Sequence, residues 1–339
     1  MKGLADFQGF GWHGLIPASY LLRARKFKGV VLEPPDYNPG SWTGAGKVIA
    51  DYSRGEYFLT TRPRKAPPLR GYAVEIYKSH NGENFSLLTS ISKEELSEMT
   101  GFTIRSIEGQ QLLVDPATGK YHLYLAVDNV GSAPVPGWDT LLLVADDPKG
   151  PWENKGLVIR RGPTYDCREA RDATIDIIDG LYIALYKAND GRRVNMALAI
   201  STDGVKWRKL GLLSYEGESQ PGYLLLCGNI FAGALSPIFI GFENRLVIEW
   251  AAVTDTFSSY MIDLKNACLT RLFSGRWEPL SPYERKDYPI HSYCSILFDH
   301  PNNRVLLYVE AIDPRDIGLN KEVDRLLLYE VDLGEGEEE

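Results

Sequence analysis

The chain has 339 residues, of which 44% are hydrophobic, so it can bury a substantial core. Its net charge of −8 argues against a nucleic-acid partner, because such partners require a basic surface. No apolar run is long enough to span a membrane and no signal peptide is visible, so we expect a cytoplasmic protein without a membrane partner.

The four cysteines, Cys167, Cys227, Cys268 and Cys294, lack the paired spacing of a zinc site. The sequence also lacks a glycine-rich phosphate loop and a dinucleotide-binding fingerprint. We therefore expect no metal and no organic cofactor. Free thiols in a reducing compartment are the default expectation, although the spacing leaves a disulfide open.

In chain order, a pair of short apolar strands joined by a turn recurs five times. The second strands of these pairs begin near Tyr57, Tyr121, Tyr182, Leu246 and Val305. Their starts are roughly 60 residues apart, which is typical of a β-propeller when helical periodicity is absent. We predict an all-β fold, a five-bladed β-propeller with a central funnel, as a single domain over residues 1–339. The predicted blades lie near 38–90, 104–157, 168–212, 233–279 and 291–333.

Three segments outside these strand pairs carry predictions of their own. Residues 27–32 are apolar and are expected to add an outer strand to blade five. Residues 93–99 are the one predicted helix, because Ser92 and Glu95 have the spacing of a capping box. The acidic tail, 334–339, is expected to be disordered.

The innermost strand of each propeller blade lines the funnel, so its first residues are candidates for a site. Counting seven residues back from the turn residues Asp115 and Asp179 gives Glu108 and Asp172. The same count from the expected turn residues Asp51, Glu243 and Asp299 of the other three blades gives Gly44, Ser236 and Ser292, the last beside His291. Two blades therefore place an acid at the funnel.

Charged residues are dense around Asp172, where the chain also carries Arg168, Glu169 and Arg171. Burying such charges is unfavourable unless they are paired or face a wet cavity. The pattern fits either a polar pocket or a salt-bridge network between blades. Glu169 is a further candidate acid in this group, after Asp172.

The loops that leave the second strands carry another charged set. Arg62, Lys187 and Glu310 each follow the first residue of their strand by five positions. Cations opposite carboxylates suit a polyhydroxylated or anionic ligand. Asp313 and His291 are candidates for the rim of the same site, although a lone histidine is more often structural.

Several segments resemble one family of sugar-processing enzymes. They are Asn38-Pro39, Arg62, segment 79–85, Glu108 with Gly119-Lys120-Tyr121, Asp172 with Gly180, Tyr182 and Lys187, and segment 308–313. Together they resemble glycoside hydrolase family 130, which contains mannoside phosphorylases and hydrolases. The resemblance implies a five-bladed propeller that acts on glycosidic bonds.

The chain departs from that family at its central motif. The family has Glu-Asp-Pro-Arg, whose aspartate is the proton donor, whereas this chain has Gly109 and Gln111 at the aspartate and arginine positions. Either Glu108 or an acid of blade three takes over the role, or catalysis is altered or lost. The related family 43 has a base aspartate in blade one, and no acid stands at the corresponding place here.

The leading hypothesis is therefore an enzyme that cleaves a glycosidic bond with inversion, by hydrolysis or by phosphorolysis with inorganic phosphate as co-substrate. The resemblance points to mannosides among the candidate substrates. The predicted catalytic residues are Asp172, Glu108 and Glu169. The predicted substrate-binding residues are Arg62, Arg168, Arg171, Lys187, His291, Glu310 and Asp313. The alternatives are a carbohydrate-binding propeller without catalysis and a scaffold for protein partners, and the oligomeric state stays open.

Overall fold

The structure is a computed structural model that describes residues 16–44, 46–216, 218–219, 223–246, 253–287, 290–315 and 321–333. The predicted acidic tail, 334–339, lies outside these residues. Nearly all regular structure in the described part is β, as the sequence predicts, and its α-helices are Ala18–Ala24 (α1) and Lys93–Thr100 (α2). Neither helix has the length and apolar character that crossing a membrane requires.

Within the described ranges, the longer strands pair antiparallel in five groups of neighbouring strands, which we call units one to five. One parallel pair, Trp138 with Glu169, joins units two and three into a single sheet. Unit one contains Lys47–Asp51 (β2), Glu56–Thr61 (β3), Ala73–Ser79 (β6) and Ser86–Ser92 (β7). Unit two contains Thr103–Val114 (β8), Tyr121–Val130 (β9), Gly137–Ala145 (β10) and Glu153–Ile159 (β11). Unit three contains Glu169–Ile178 (β12), Leu181–Asn189 (β13), Val194–Ser201 (β14) and Arg208–Leu212 (β15).

The last two units follow the same pattern of consecutive antiparallel strands. Unit four contains Tyr223–Phe231 (β18), Ile238–Leu246 (β19), Val253–Asp263 (β20) and Cys268–Arg276 (β21). Unit five contains His291–Asp299 (β22), Arg304–Ile312 (β23), Asp324–Asp332 (β24) and, as its outer strand, Lys26–Leu32 (β1). The remaining short elements are Arg64–Lys65 (β4), Arg70–Gly71 (β5), Ser214–Tyr215 (β16), Glu218–Ser219 (β17) and a 3₁₀ helix at His300–Asn302.

The first strands of the units contact one another in a closed cycle. β2 contacts β8, β8 contacts β12, β12 contacts β18, β18 contacts β22, and β22 returns to β2. Buried apolar clusters also lie between units one and two, two and three, three and four, four and five, and five and one. This explains why strands such as β9 and β10 are apolar on both faces, since each sheet is covered on both sides.

Two local predictions outside the strand pairs are confirmed. The Ser92 side chain and Glu95 form both hydrogen bonds of the capping box, and the helix that follows, α2, ends at a left-handed Gly101. The segment predicted as an outer strand is β1, which pairs with β24 through antiparallel partners such as Phe27 and Tyr329. The N-terminal part of the described chain therefore covers an edge of unit five.

The structure differs from the sequence prediction at α1, which was not predicted. The helix has seven residues and follows Pro17, so it offers too few turns for a clear helical period. It buries Leu21 and Leu22 in the cluster between units four and five. Tertiary packing stabilises this helix, because isolated helices of this length are marginal in water.

The prediction for unit four was also wrong in its strand boundaries. Glu243 was expected in a turn between two strands, but it lies within β19, whose partner is β18. The Glu243 carboxylate is buried and accepts hydrogen bonds from Ser258 and Tyr260. Ser236, the residue counted back from Glu243, therefore lies between β18 and β19 and not at the start of a first strand.

Candidate functional site

The charged residues gather where the first strands begin and the second strands end. Glu108 lies on β8 at a register shift between Glu108 and Gln110, and Asp172 lies on β12 at a shift between Arg171 and Thr174. Asp172 has a φ of 50°, a left-handed conformation that is uncommon for a residue other than glycine. These register shifts are β-bulges, which change the direction of the side chains, and here they place both acids in one region.

Glu108 is held by two arginines from the end of unit one's second strand. Arg62 Nη2 lies 3.2 Å from Glu108 Oε2, and Arg64 Nη1 donates to Glu108 Oε1 over 2.5 Å. Arg62 is fully buried, which would lower its pKa, but the charges of Glu108 and Glu310 raise its pKa above the ordinary value. The ring of Trp42 lies 5.4 Å from the Arg62 guanidinium and 4.4 Å from that of Arg64. Glu108 is thus a hydrogen-bond acceptor within a cationic group.

Asp172 is held by two cations of its own unit. Lys187 Nζ donates to Asp172 Oδ2 over 2.7 Å, and Arg171 Nη1 donates to the same oxygen over 3.1 Å. Burial alone would raise the pKa of Asp172, but the charges of Arg171 and Lys187 lower it well below its ordinary value. Arg171 Nε also donates to Glu169 over 2.8 Å. Glu169 therefore belongs to the same network of charges as Asp172.

Glu310 is the third of the matched positions. It was expected in a loop after its second strand, but it lies within β23, as Lys187 lies within β13, because both strands run further than predicted. Its Oε1 accepts a hydrogen bond from the Gly44 backbone nitrogen over 2.7 Å, and its charge reaches Arg62. Asp324, the first residue of β24, lies close by and accepts from Ser292 Oγ over 2.8 Å. Burial first, and then the charge of Glu310, raise the pKa of Asp324 well above its ordinary value. This corner therefore holds a carboxyl group that favours its protonated form.

The structure places three predicted site residues elsewhere. His291 is buried between Phe242 and Trp277, and its Nε2 lies 2.7 Å from Glu284 Oε1. Asp313 directly follows β23 and pairs with Arg315 over 2.7 Å and with Arg325 over 3.0 Å. The Arg168 side chain is exposed to solvent and lies against Gly191. The partners named for these three residues include neither Glu108 nor Asp172.

Residues that the sequence reasoning did not assign to the site also lie there. They are Arg64, Trp42, Trp138, Tyr293 and Asp324. The Trp138 ring lies 4.6 Å from the Arg171 guanidinium, and the Trp42 ring lies 4.4 Å from that of Arg64. The pair Arg62 and Arg64, two residues apart on one extended segment, was the signal that could have identified Arg64. Asp324 follows a long connection and carries no such signal.

Two cavities border the first strands. The smaller, of about 20 Å³, is lined at the level of Asp172 by Gly109, Lys187, Cys227 and Tyr293, among others. The larger, of about 320 Å³, lies at the opposite ends of the first strands and is lined by residues such as Asp176, Asn229 and Phe298. Lys47 lines both, and its ammonium donates to the carbonyls of Gly228 and Cys294.

The described residues contain no group of three or more His, Cys, Asp or Glu side chains that could hold a metal ion. The four cysteines, all of them described, are free thiols. What the site offers chemically is a set of buried carboxylates fixed by Arg and Lys side chains. Such a set can hold hydroxyl groups or anions and can exchange protons with a bound molecule.

No protein-family model and no curated protein sequence matches the chain. Solved structures do match it. The β-1,2-mannobiose phosphorylase of Listeria innocua is 15% identical, with 90% of this chain and 94% of that chain covered and a TM-score of 0.57. A family 117 glycoside hydrolase of Zobellia galactanivorans is 19% identical, with 91% of each chain covered and a TM-score of 0.53.

A further structure with a different named reaction is also similar. The N-acetylgalactosamine deacetylase of F. plautii is 10% identical, with 91% of this chain and 95% of that chain covered and a TM-score of 0.61. At these identities the likeness shows a shared, propeller-like fold. A shared fold does not fix the reaction, so the chemistry has to be argued from the site.

Proposed function

We propose that this protein is a five-bladed β-propeller enzyme that cleaves a glycosidic bond with inversion, by hydrolysis or phosphorolysis, and that mannosides are among its substrates. The observation that carries the proposal is the pair Glu108 and Asp172. These buried acids stand on neighbouring first strands, β8 and β12, and each is fixed by two cations. Inverting glycoside cleavage needs two carboxyl groups held on separate elements around the scissile bond.

The five-bladed arrangement is supported by the cycle of contacts among β2, β8, β12, β18 and β22. It is supported further by the apolar clusters that fill each space between neighbouring units. The similar solved structures include a phosphorylase and a hydrolase that act on glycosides. A ring of this kind brings the starts of all first strands to one end, where the substrate would bind.

The two acids have different roles in this proposal. Asp172 is ionised because of Arg171 and Lys187, so it suits the base, which accepts a proton from the nucleophile. Glu108 donates the proton to the leaving oxygen. It must first take up this proton from solvent, which requires that the substrate replace one of its arginine partners. Arg64 is the partner that can move, because its side chain is 15% exposed whereas that of Arg62 is 0% exposed.

A second candidate function is a carbohydrate-binding propeller without catalysis. Gly109 motivates it, because this position carries no acid, and both Glu108 and Asp172 are already neutralised by cations. It shares the sugar ligand with the first candidate and differs only in the absence of product.

A screen of aryl glycosides and manno-oligosaccharides, with and without phosphate and read by chromatography, tests the two candidates. Product formation by the wild type that disappears in Asp172→Asn supports the enzyme. Binding of an oligosaccharide with no product at any pH, with or without phosphate, supports the binding protein. Unchanged activity in Asp172→Asn would reject the role assigned to that residue.

A further inference from the structure

The two oxygens of the Asp172 carboxylate have different surroundings. Oδ2 accepts from both Lys187 and Arg171, whereas Oδ1 has no hydrogen-bond partner among the described residues. The side chain is only 5% exposed, so bulk solvent does not satisfy Oδ1. A buried carboxylate oxygen without a partner is costly, which indicates that a small bound molecule completes its hydrogen bonding.

The cavity beside this oxygen has the size of one water molecule. Its volume is about 20 Å³, and a single water needs roughly 10–15 Å³. Its lining includes the polar residues Lys187 and Tyr293 and the apolar residues Leu225 and Leu226. Inorganic phosphate is much larger than one water and does not fit in this space.

Gly109 keeps this space open. A Cβ atom built at position 109 would lie 2.8 Å from Asp172 Cα and 2.9 Å from Asp172 Oδ1, closer than real Cβ atoms approach other atoms. Only glycine therefore leaves the carboxylate in its observed place. The bulges at Gly109 and Asp172 face each other on neighbouring strands, and together they shape the cavity.

We propose that Asp172 Oδ1 binds and orients one water molecule in this cavity, and that this water, and not phosphate, is the nucleophile of the reaction. The proposal rests on the proposed function and selects hydrolysis from its two options. Lys187 and Arg171 fix the carboxylate through Oδ2, which leaves Oδ1 as the acceptor. Gly109 is the positioning residue, because it leaves room for the Asp172 carboxylate and the water.

The step balances for a 4-nitrophenyl glycoside, whose leaving group needs no proton donor. The water oxygen forms a bond to the anomeric carbon on the face opposite the leaving group. The bond from the anomeric carbon to the phenolate oxygen breaks, and its electron pair leaves with 4-nitrophenolate. One proton of the water passes to Asp172 Oδ1, and the sugar product has the inverted configuration.

The activity test uses variants of the full chain with the 4-nitrophenyl glycoside that the wild type hydrolyses. We expect Asp172→Gly to lose about 10³-fold in rate and azide to restore turnover, with a glycosyl azide of inverted configuration as product. We expect Gly109→Ala to lose about 10²-fold, because its Cβ displaces the carboxylate. Gly29→Ala is the matched control, since a Cβ there meets nothing within 4 Å.

Several outcomes would overturn the proposal. They are wild-type turnover that rises with phosphate and yields a glycosyl phosphate, full activity in Gly109→Ala, and no azide rescue in a folded Asp172→Gly variant. Asp172→Asn, which keeps the side chain's shape, replaces Asp172→Gly if that variant does not fold. Its rate loss must then match the value expected for Asp172→Gly.

A crystallographic arm separates this proposal from the proposed function. If the wild type turns over no glycoside, the proposed function fails. The water site is then judged from high-resolution structures of the wild type and Gly109→Ala. A water within hydrogen-bond distance of Asp172 Oδ1 in the wild type, absent in Gly109→Ala, supports the site. A dry cavity, or another group on Oδ1, overturns it.

Discussion

Two aspartates on one strand, β12, have opposite ionisation behaviour. Asp172, near the start of the strand, has a lowered pKa because Arg171 and Lys187 contact it. Asp176, near the other end, lines the larger cavity, and burial raises its pKa to about 7 despite the charge of Lys47. Burial raises the pKa of both acids, so the cations that contact Asp172 account for the opposite direction of its shift. The difference shows that the start of β12 provides cations that stabilise a charged carboxylate and that its other end does not.

The largest expected effect is a loss of activity that separates Asp172 from Asp176. Asp172→Asn should lower kcat on a responsive glycoside by about 10³-fold, because the amide cannot accept a proton from the nucleophile. The matched variant, Asp176→Asn, should keep the wild-type kcat, since Asp176 lies at the opposite end of β12. Steady-state kinetics measures both, with circular dichroism as the check on folding. Equal losses in the two variants would contradict the assignment.

The next effect concerns the ion pairs at the start of the first strands. Glu108→Gln should lower the free energy of unfolding by about 3 kcal/mol, because it leaves Arg62 buried without its carboxylate partner. Urea denaturation measures this change. Glu153→Gln is the control, because the Glu153 side chain is 65% exposed and its pair with Lys155 should contribute less than about 1 kcal/mol. A loss below that level for Glu108→Gln would show that the pair is not structurally important.

The raised pKa of Asp176 gives a smaller effect with a defined pH window. Its folded pKa of about 7 lies above the ordinary value of 3.8, so the wild type loses stability as pH rises between these values. Asp176→Asn removes this loss. The full shift corresponds to about 4 kcal/mol, and because Asp176 is only half-buried we expect the variant to gain about 2 kcal/mol over the wild type at pH 8. The gain should fall as the pH is lowered and be lost below the unfolded value of 3.8. Denaturation at a series of pH values measures it, and a gain that does not change with pH would count against the shift.

The smallest expected effect is a change in the pKa of Asp172. Lys187→Met removes one of the two cations that lower the pKa of Asp172, so this pKa should rise. Because the base works ionised, the acidic limb of the rate profile should move to higher pH. Lys155→Met, which changes a surface lysine paired with Glu153, should leave the limb in place. An unmoved limb in Lys187→Met would mean that Asp172 does not control it.

Much of the fold could be predicted from strand pattern and turn chemistry. The capping box at Ser92 and Glu95 predicted the helix α2, and the apolar segment at 27–32 predicted the strand β1. Unit four was misread because Glu243 was taken for a turn residue. Its side chain is satisfied by Ser258 and Tyr260, which lie on the next strand, β20, and are not visible from the local sequence.

The site could be predicted in part, because matching positions of a repeat occupy matching places in the fold. Arg62, Lys187 and Glu310, found by counting, all lie within the charged cluster. His291 was counted into the same region, but its ring is buried against Phe242 and Trp277. Counting gives the level of a residue along its strand, whereas a small bulge or a neighbouring ring decides where its side chain points.

The sequence by itself determined the all-β character, the recurring strand pairs and the strands on which Glu108 and Asp172 stand, because these follow from periodicity and spacing within short segments. Only the tertiary structure decided which cations contact which acid, that Gly109 faces Asp172, and that Asp324 lies beside Glu310. The contacts of Glu108 with Arg62 and Arg64, and of Gly109 with Asp172, join residues from different units, and the others lie within one unit. The ionisation of a buried acid depends on the charges within a few ångströms of it, whichever strand carries them.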